Sequence, residues 1–253
     1  ITASGEPLQP EGWYHGLYPA LPILHQRRLA DLERFLSLYD LDGVWLDFIR
    51  WPCHWEVRAP HLPLTSFDEV TVERFATDCG LALTAAKPRI AAKQIMARYE
   101  EEWVAWRCRQ ITSWVAEASA IVRRLRPKAL LGLFGVPWLP EDYQGAIERI
   151  IGQDYAALSA YVDVLSPMVY HHMCGWPVEW IATVTEHLAA CTGRPIWPIL
   201  QATDLPTPLP PKAFQAALQV ALSCPAADGL LVFKMDDLFA GSKLAVALQA
   251  FGR

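Results

Sequence analysis

The chain has 253 residues, a length that fits one α/β domain better than two. Its net charge of -5 gives no basic surface for a nucleic-acid backbone or an anionic membrane. Although 53% of the residues are hydrophobic, no stretch reaches the ~18 uninterrupted apolar residues that a membrane span needs. The composition therefore predicts no membrane span and no nucleic-acid partner.

Short apolar runs alternate with amphipathic segments from Asp42 onward, which is the pattern of βαβ units in a parallel sheet. The apolar runs predict strands at about 43–48, 129–134, 163–169, 195–200 and 228–233. The other segments predict helices at about 22–39, 68–80, 88–126, 142–160, 177–191, 211–223 and 241–251.

Five strands are too few for a closed eight-stranded (β/α)8 TIM barrel, which usually takes ~250 residues. Because a predicted helix precedes the first strand, we expect a partial TIM barrel with only strands four to eight present. The alternative is an open five-stranded sheet, whose uncovered edges would favour aggregation. A missing N-terminal segment or a homo-oligomer would cover these edges.

The domain prediction is a single partial barrel over 1–253 with a helical insertion at about 53–127. Within the insertion, Trp103, Trp106 and Trp114 have helical spacing, which indicates a packed helix face. The six cysteines lie far apart and include no Cys-x-x-Cys pair. We expect them to be small buried hydrophobic residues rather than zinc ligands. One disulfide among them is the alternative.

The stretch from Asp42 to Pro52 is an apolar strand that leads directly into Asp47, Arg50 and Trp51. A carboxylate at the C-terminal end of a buried parallel strand lies where barrel enzymes hold their chemistry, so Asp47 is the first catalytic candidate. Arg50 could position a sugar hydroxyl or lower the pKa of Asp47 through its charge. The alternative is that Asp47 caps a loop or pairs with Arg50.

The residues that follow the predicted strands combine carboxylates, aromatic rings and imidazoles, and they converge on one face if the barrel prediction holds. Sugar rings stack on indoles, and their hydroxyls bind Asp, Glu, Arg and Gln, so this mixture is typical of a carbohydrate cleft. The alternative for each tryptophan is packing within a loop. The predicted substrate-binding residues are Arg50, Trp51, Trp55, Trp138, Tyr170, His171, Gln201 and Lys234.

Glycoside hydrolysis typically needs two carboxyl groups that flank the scissile bond. Asp47 supplies the first, and Glu56 and Asp236 rank equally as the second. Glu56 lies in the same loop and would have to curl back over the site, whereas Asp236 follows the last strand. Glu141 ranks behind both.

His171 and His172 follow the third strand, and with Asp47 and Asp236 they are the ligand types of a metal-dependent hydrolase. Adjacent residues of a strand point to opposite faces, so both imidazoles cannot easily bind one ion. We therefore expect no metal and one histidine bound to the sugar. No nucleotide-binding, phosphate-loop, serine-hydrolase or metalloprotease motif is present, and no cofactor is predicted.

Three segments give the chain its resemblance to the glycosyl-hydrolase-like TIM barrels, the group compared with family ten or the α-amylase clan. They are Gly12-Trp13-Tyr14-His15-Gly16-Leu17-Tyr18-Pro19, the strand 43–52 and the strand 163–170. The resemblance implies that the first strand is the barrel's fourth, whose terminal acid is the nucleophile or an essential carboxylate, here Asp47. The α-amylase clan has a Glu after its fifth strand, whereas this chain has Gly135-Val136-Pro137-Trp138 there.

The predicted function is a glycoside hydrolase that acts on an oligo- or polysaccharide through a carboxylate pair that includes Asp47. A non-catalytic carbohydrate-binding barrel and a metal-dependent hydrolase are the alternatives. The resemblance implies a secreted or cell-envelope location.

Overall fold

The computed structural model describes residues 1–10, 19–83, 87–239 and 242–252. All five predicted strands are present in shorter form: β1 (Gly43–Leu46), β2 (Leu130–Gly135), β3 (Val164–Pro167), β4 (Ile199–Gln201) and β5 (Leu231–Phe233). They run parallel in chain order, with β1, β2 and β3 in one sheet and β4 and β5 in another. A single parallel bridge between Leu165 and Ile196 connects the two sheets.

The helices pack around these strands and confirm a mixed α/β fold. They are α1 (Pro22–Leu38), α2 (Glu69–Cys79), α3 (Pro88–Arg98), α4 (Glu100–Leu125), α5 (Ala146–Arg149), α6 (Tyr155–Ser159), α7 (His171–Cys174), α8 (Trp180–Thr192), α9 (Pro211–Ser223), α10 (Met235–Phe239) and α11 (Lys243–Ala250). Over the described ranges the strands form two small sheets and not a closed barrel. Within the same ranges, every helix is too short or too polar to cross a membrane.

Two predicted helices are wrong in their continuity. The helix predicted over 88–126 is interrupted at Tyr99, whose N–H bonds to Ile95 and ends α3 while its carbonyl begins α4. The helix predicted over 142–160 is broken into short pieces, because Gly145 and Gly152 adopt positive φ angles of 76° and 73°. A left-handed residue cannot continue a right-handed helix.

Helix α4 supplies much of the core, as its tryptophan spacing predicted. Trp103 and Trp106 are buried and stack on each other with ring centroids 5.4 Å apart. Phe75 of α2 packs edge-on against both rings. Trp114 is half-buried at the same face. This face fixes the insertion helices against the strand layer.

Arg107 of α4 is fully buried among the aromatic rings, with its guanidinium 4.6 Å from the centroid of Trp51. It donates hydrogen bonds to the carbonyls of Arg149 and Ile150 at the end of α5, at 2.6 and 3.0 Å. Burial lowers the pKa of Arg107 to about 9. The backbone carbonyl of Arg107 also accepts the indole N–H of Trp51 at 3.2 Å. Arg107 thus joins α4 to the loop after β1.

The six cysteines are all free, so no disulfide contributes to this fold. Four of them, Cys53, Cys108, Cys174 and Cys224, are buried, which agrees with their expected role as small hydrophobic residues.

The indole of Trp45 lies flat over the sheet and depends on a glycine in the neighbouring strand. A Cβ atom at Gly132 of β2 would overlap the Trp45 ring. The ring donates a hydrogen bond to Ser166 Oγ of β3 at 3.0 Å and stacks on Trp197, with centroids 5.5 Å apart. One tryptophan therefore links β1 to the neighbouring strands.

We expect Gly132→Ala to lower the free energy of unfolding by about 1–3 kcal/mol, because the added methyl group overpacks against the Trp45 ring. Urea denaturation measures this change. In a Trp45→Ala background the same substitution should cost clearly less, because the overlap is gone. An equal cost in both backgrounds would show that the Trp45 contact is not the cause.

Candidate active site

Asp47 follows β1 directly and begins a tight turn. Its Oδ1 accepts the backbone N–H of Phe48 at 2.7 Å. Phe48 has a φ of 57°, a left-handed conformation that is rare for a residue with a side chain. The Arg50 guanidinium lies 4.5 Å from the centroid of the Phe48 ring. The Asp47 carboxylate is therefore hydrogen-bonded to Phe48, a residue whose own backbone is strained.

The pKa of Asp47 is raised above its ordinary value. The surrounding protein desolvates the carboxyl group, and this effect exceeds the opposing effects of the Phe48 N–H bond and the Arg50 charge. Arg50 does lower the Asp47 pKa, as the sequence predicted, but it does not dominate. Asp47 thus keeps its proton to a higher pH than an ordinary aspartate.

Tyr170, three residues beyond the end of β3, lies close to two of the candidate carboxylates. It is 5% exposed, and burial raises the pKa of its hydroxyl, with further increases from the charges of Glu56 and Asp47. The Arg50 charge lowers the same pKa. Asp47, Arg50 and Glu56 thus follow β1, and Tyr170 follows β3, which β2 separates from β1 in the same sheet.

Glu56 lies in the loop that follows β1, nine residues beyond Asp47. Its Oε2 lies 3.9 Å from Nε2 of His54. Its charge raises the pKa of the buried Cys174 thiol in α7, although burial of that thiol has the larger effect. The carboxylate is half-buried between the β1 loop and α7.

A column of stacked rings forms one wall of the site. Tyr170 stacks on Trp55 with centroids 5.8 Å apart and on Phe233 with centroids 5.6 Å apart. Trp55 is 1% exposed, whereas Phe233 is 45% exposed at the end of β5. The open ring of the column is therefore Phe233, which the sequence analysis missed. Its position as the last residue of the fifth strand was the available signal.

All three tryptophans predicted to bind the sugar are buried: Trp55 lies within the column, and the other two lie outside it. Trp51 is inaccessible to solvent and packs against Trp106 and Arg107. Trp138 is 3% exposed and lies against Tyr143, with centroids 4.9 Å apart. Neither indole presents a face to a sugar in this structure, because the loops that follow β1 and β2 fold over the core.

Lys234 and Asp236 follow Phe233, the last residue of β5. Asp236 is exposed on α10. Nζ of Lys234 is 3.9 Å from Oδ2 of Asp237. Glu141 is exposed, and Asp142 Oδ2 accepts the Leu139 N–H at 2.8 Å. None of the described contacts joins these carboxylates to Asp47.

Gln201 uses its amide to bind backbone. It is 1% exposed, its Oε1 accepts the Met173 N–H at 2.9 Å, and its Nε2 donates to the Thr203 carbonyl at 3.0 Å. Beyond it, Asp204 accepts hydrogen bonds from Nζ of Lys243 at 2.6 Å and from the Leu209 N–H at 2.8 Å. Both residues fix the loop after β4.

His171 is 6% exposed at the start of α7, next to the half-buried His172. Burial, followed by the charge of His172, lowers the pKa of His171 to about 4, so its imidazole is neutral at neutral pH. Across the described part of the chain, no group of three or more His, Cys, Asp or Glu side chains is arranged to hold a metal ion.

Comparison with known proteins shows a shared fold. No protein-family model matches the chain, and neither does any curated protein. The glycoside hydrolase domain of PgaB (BpsB) from Bordetella bronchiseptica matches with a TM-score of 0.71 and 18% identity, over 96% of this chain and 67% of that one. The β-galactosidase of the psychrophilic Marinomonas ef1 gives 0.59 and 11%, over 88% of this chain and 39% of that one.

A third match, bee venom hyaluronidase, has a TM-score of 0.42 with 17% identity, over 72% of this chain and 60% of that one, and is too distant to support an argument. The first two matches show that the chain shares its fold with glycoside hydrolase domains. It spans about two thirds of the PgaB domain structure, at 67%. Residues 12–18 of the first resemblance segment lie outside the described residues.

The raised pKa of Asp47 predicts how folding stability depends on pH. Below the ordinary aspartate pKa of about 3.9 the protonated group stabilises the fold, and this contribution is lost as the pH rises through the higher folded-state pKa. The stability of the wild type relative to Asp47→Asn should therefore fall across that window and then stay level. Urea denaturation between pH 3 and 7 measures the difference.

Asp163 provides the control of opposite sign. Burial opposes ionisation of Asp163, but its bonds to Arg123 and to the Leu131 N–H lower its pKa overall. The wild type should lose stability relative to Asp163→Asn as the pH falls through that lowered value. If both variants showed the same pH trend, the assignment for Asp47 would be wrong.

Proposed function

We propose that the chain carries the active site of a glycoside hydrolase that cleaves an oligo- or polysaccharide with Asp47 and Glu56. The observation that carries the proposal is that Trp55, next to Glu56 in the β1 loop, stacks on Tyr170 beyond β3 with ring centroids 5.8 Å apart, and the effects of Asp47 and Glu56 on the pKa of Tyr170 support it. Parallel α/β folds bind ligands at the carboxyl ends of their strands, where this cluster lies. The fold shared with glycoside hydrolase domains supports the same conclusion.

The two carboxylates have different roles in this proposal. Asp47 donates its proton to the glycosidic oxygen, because a carboxyl group with a raised pKa is the better general acid. Glu56 acts on the opposite side of the sugar as nucleophile or base. A carboxyl separation of about 5–5.5 Å would make the enzyme retaining, and about 6.5–9.5 Å would make it inverting.

The choice of Glu56 over Asp236 follows from their surroundings. Glu56 is half-buried beside Tyr170 and Cys174, whereas Asp236 is exposed on α10. A catalytic carboxylate needs a fixed position within reach of the bond that it acts on. Glu56 is the half-buried one of the two and shares a loop with Asp47, which supports its choice.

The sugar ring stacks on Phe233 in this proposal, because Phe233 is the exposed end of the aromatic column. Tyr170 and Trp55 support that ring from below, and Arg50 orients the acid. The neutral imidazole of His171 is suited to hydrogen bonding with a sugar hydroxyl. The binding face therefore has fewer exposed rings than the set of Trp51, Trp55, Trp138 and Tyr170 that the sequence predicted.

We expect Asp47→Asn and Glu56→Gln each to lower kcat/KM by about 10²- to 10⁴-fold, because each change removes a group that transfers a proton or attacks the sugar. Hydrolysis of a panel of polysaccharides and aryl glycosides measures the loss. Asp236→Asn is the matched control and should remain close to wild type.

Two results would contradict the proposal. Loss of activity in Asp236→Asn with activity retained in Glu56→Gln would mean that the carboxylate pair is wrongly assigned. A wild-type protein that binds a glycan but cleaves none of the panel would identify a carbohydrate-binding domain instead.

A further inference from the structure

The segment 151–153 is hydrogen-bonded to the loop that follows β1. The Trp51 N–H donates to the Ile151 carbonyl at 2.9 Å, and Nε2 of Gln153 donates to the Ile49 carbonyl at 3.1 Å. Between them, Gly152 has a φ of 73°, and a Cβ atom there would overlap the Trp51 indole. The segment 151–153 thus contacts the β1 loop at Ile49 and Trp51, a few residues beyond Asp47.

Gln153 is held in one orientation by the end of β2. The residue is 2% exposed, and its Oε1 accepts the Val136 N–H at 3.1 Å. The same Oε1 lies 3.2 Å from the hydroxyl of Tyr155, which also bonds to the Val136 carbonyl at 2.7 Å. With Oε1 occupied as an acceptor, Nε2 is directed at Ile49. The Gln153 amide therefore links the residue after β2, Val136, to Ile49 of the β1 loop.

The turn that Gln153 holds contains the strained residue of the site. A non-glycine residue in the left-handed conformation, such as Phe48, costs about 1–3 kcal/mol and persists only where its surroundings fix it. On one side, the Phe48 N–H bonds to Asp47 Oδ1 at 2.7 Å. On the other side, the next carbonyl, that of Ile49, bonds to Gln153. The Phe48 carbonyl also accepts the Arg50 N–H at 2.9 Å, so release of the Gln153 bond would loosen the turn at one of its restraints.

We infer that Gln153 is a positioning residue for Asp47: its buried amide fixes the Ile49 carbonyl and thereby keeps the strained turn that aims the Asp47 carboxylate. The catalytic consequence rests on the proposed function, whereas the structural one does not. Gln153 itself touches no substrate and acts only through the β1 loop.

The test replaces Gln153 with Met, which fills similar volume without hydrogen bonds, and with Asn, which keeps an amide that is too short to reach Ile49. Burial raises the pKa of Asp47 and the Phe48 N–H bond lowers it, so a loosened turn should move the carboxyl titration of Asp47 away from its wild-type pH. Carbon-13 NMR of the Asp47 carboxyl group follows this titration. In a hydrolysis assay, kcat should fall at least about tenfold while KM changes less than about threefold.

Thr185→Val is the matched control for a lost buried hydrogen bond. Thr185 is fully buried, and its hydroxyl bonds only within α8, to the Ile181 carbonyl at 2.7 Å. The control should leave both the Asp47 titration and kcat unchanged. Its free energy of unfolding, measured beside those of the Gln153 variants, shows how much stability each protein has lost.

An unchanged Asp47 titration in a folded Gln153 variant would overturn the inference, and so would an equal shift in Thr185→Val. A shifted titration with an unchanged kcat would also overturn it. If the wild type cleaves no glycan, the titration still tests Gln153, so failure of this inference differs from failure of the proposed function. The Asn variant serves if the Met variant does not fold.

Discussion

The site depends on the turn that follows β1, in which a left-handed Phe48 separates Asp47 from the buried residues behind it. Hydrogen bonds to the Asp47 carboxylate and to Gln153 stabilise this turn from both sides. Trp51 then enters the core. The Arg107 guanidinium covers its ring, and the Arg107 backbone carbonyl accepts its indole N–H. Buried contacts of α4 and of segment 149–153 thus support the turn that carries the Asp47 carboxylate.

Burial and charge have opposite effects on the groups of this cluster. Desolvation raises the pKa values of Asp47 and Tyr170, and the positive charge of Arg50 lowers both. An acid that keeps its proton and a second carboxylate in a different environment are what glycoside hydrolysis requires. The proposed chemistry therefore follows from packing around the β1 loop as much as from the identity of its residues.

Although it did not predict the short helices α7 and α10, the sequence was sufficient to predict the order of the five strands and to single out Asp47 as a candidate. Those predictions rest on local patterns: an apolar run followed by a carboxylate, and tryptophans at helical spacing in α4. The break at Tyr99 and the fragments between Asp142 and Ser159 were not predictable, because apolar periodicity continues across the glycines and loops that interrupt them.

The aromatic residues show most clearly what the sequence alone could not predict. Trp51 and Phe233 both stand at or just past strand ends, and nothing in the local sequence indicates which ring is buried. Trp51 is enclosed because Gly152 and Arg107, distant in sequence, pack against it. Phe233 stays 45% exposed because it ends the column above Tyr170. In the same way, only the folded loop distinguishes Glu56 from Asp236.

A crystal structure of the Glu56→Gln variant with an uncleaved oligosaccharide would test the central claim most directly. We expect a glycosidic oxygen within hydrogen-bonding distance of Asp47, a sugar ring against Phe233, and residue 56 on the other side of the scissile bond. The distance between residues 47 and 56 should then lie in the range of about 5–9.5 Å that glycoside hydrolases use. A sugar bound away from Asp47, or a larger separation of the two groups, would contradict the account.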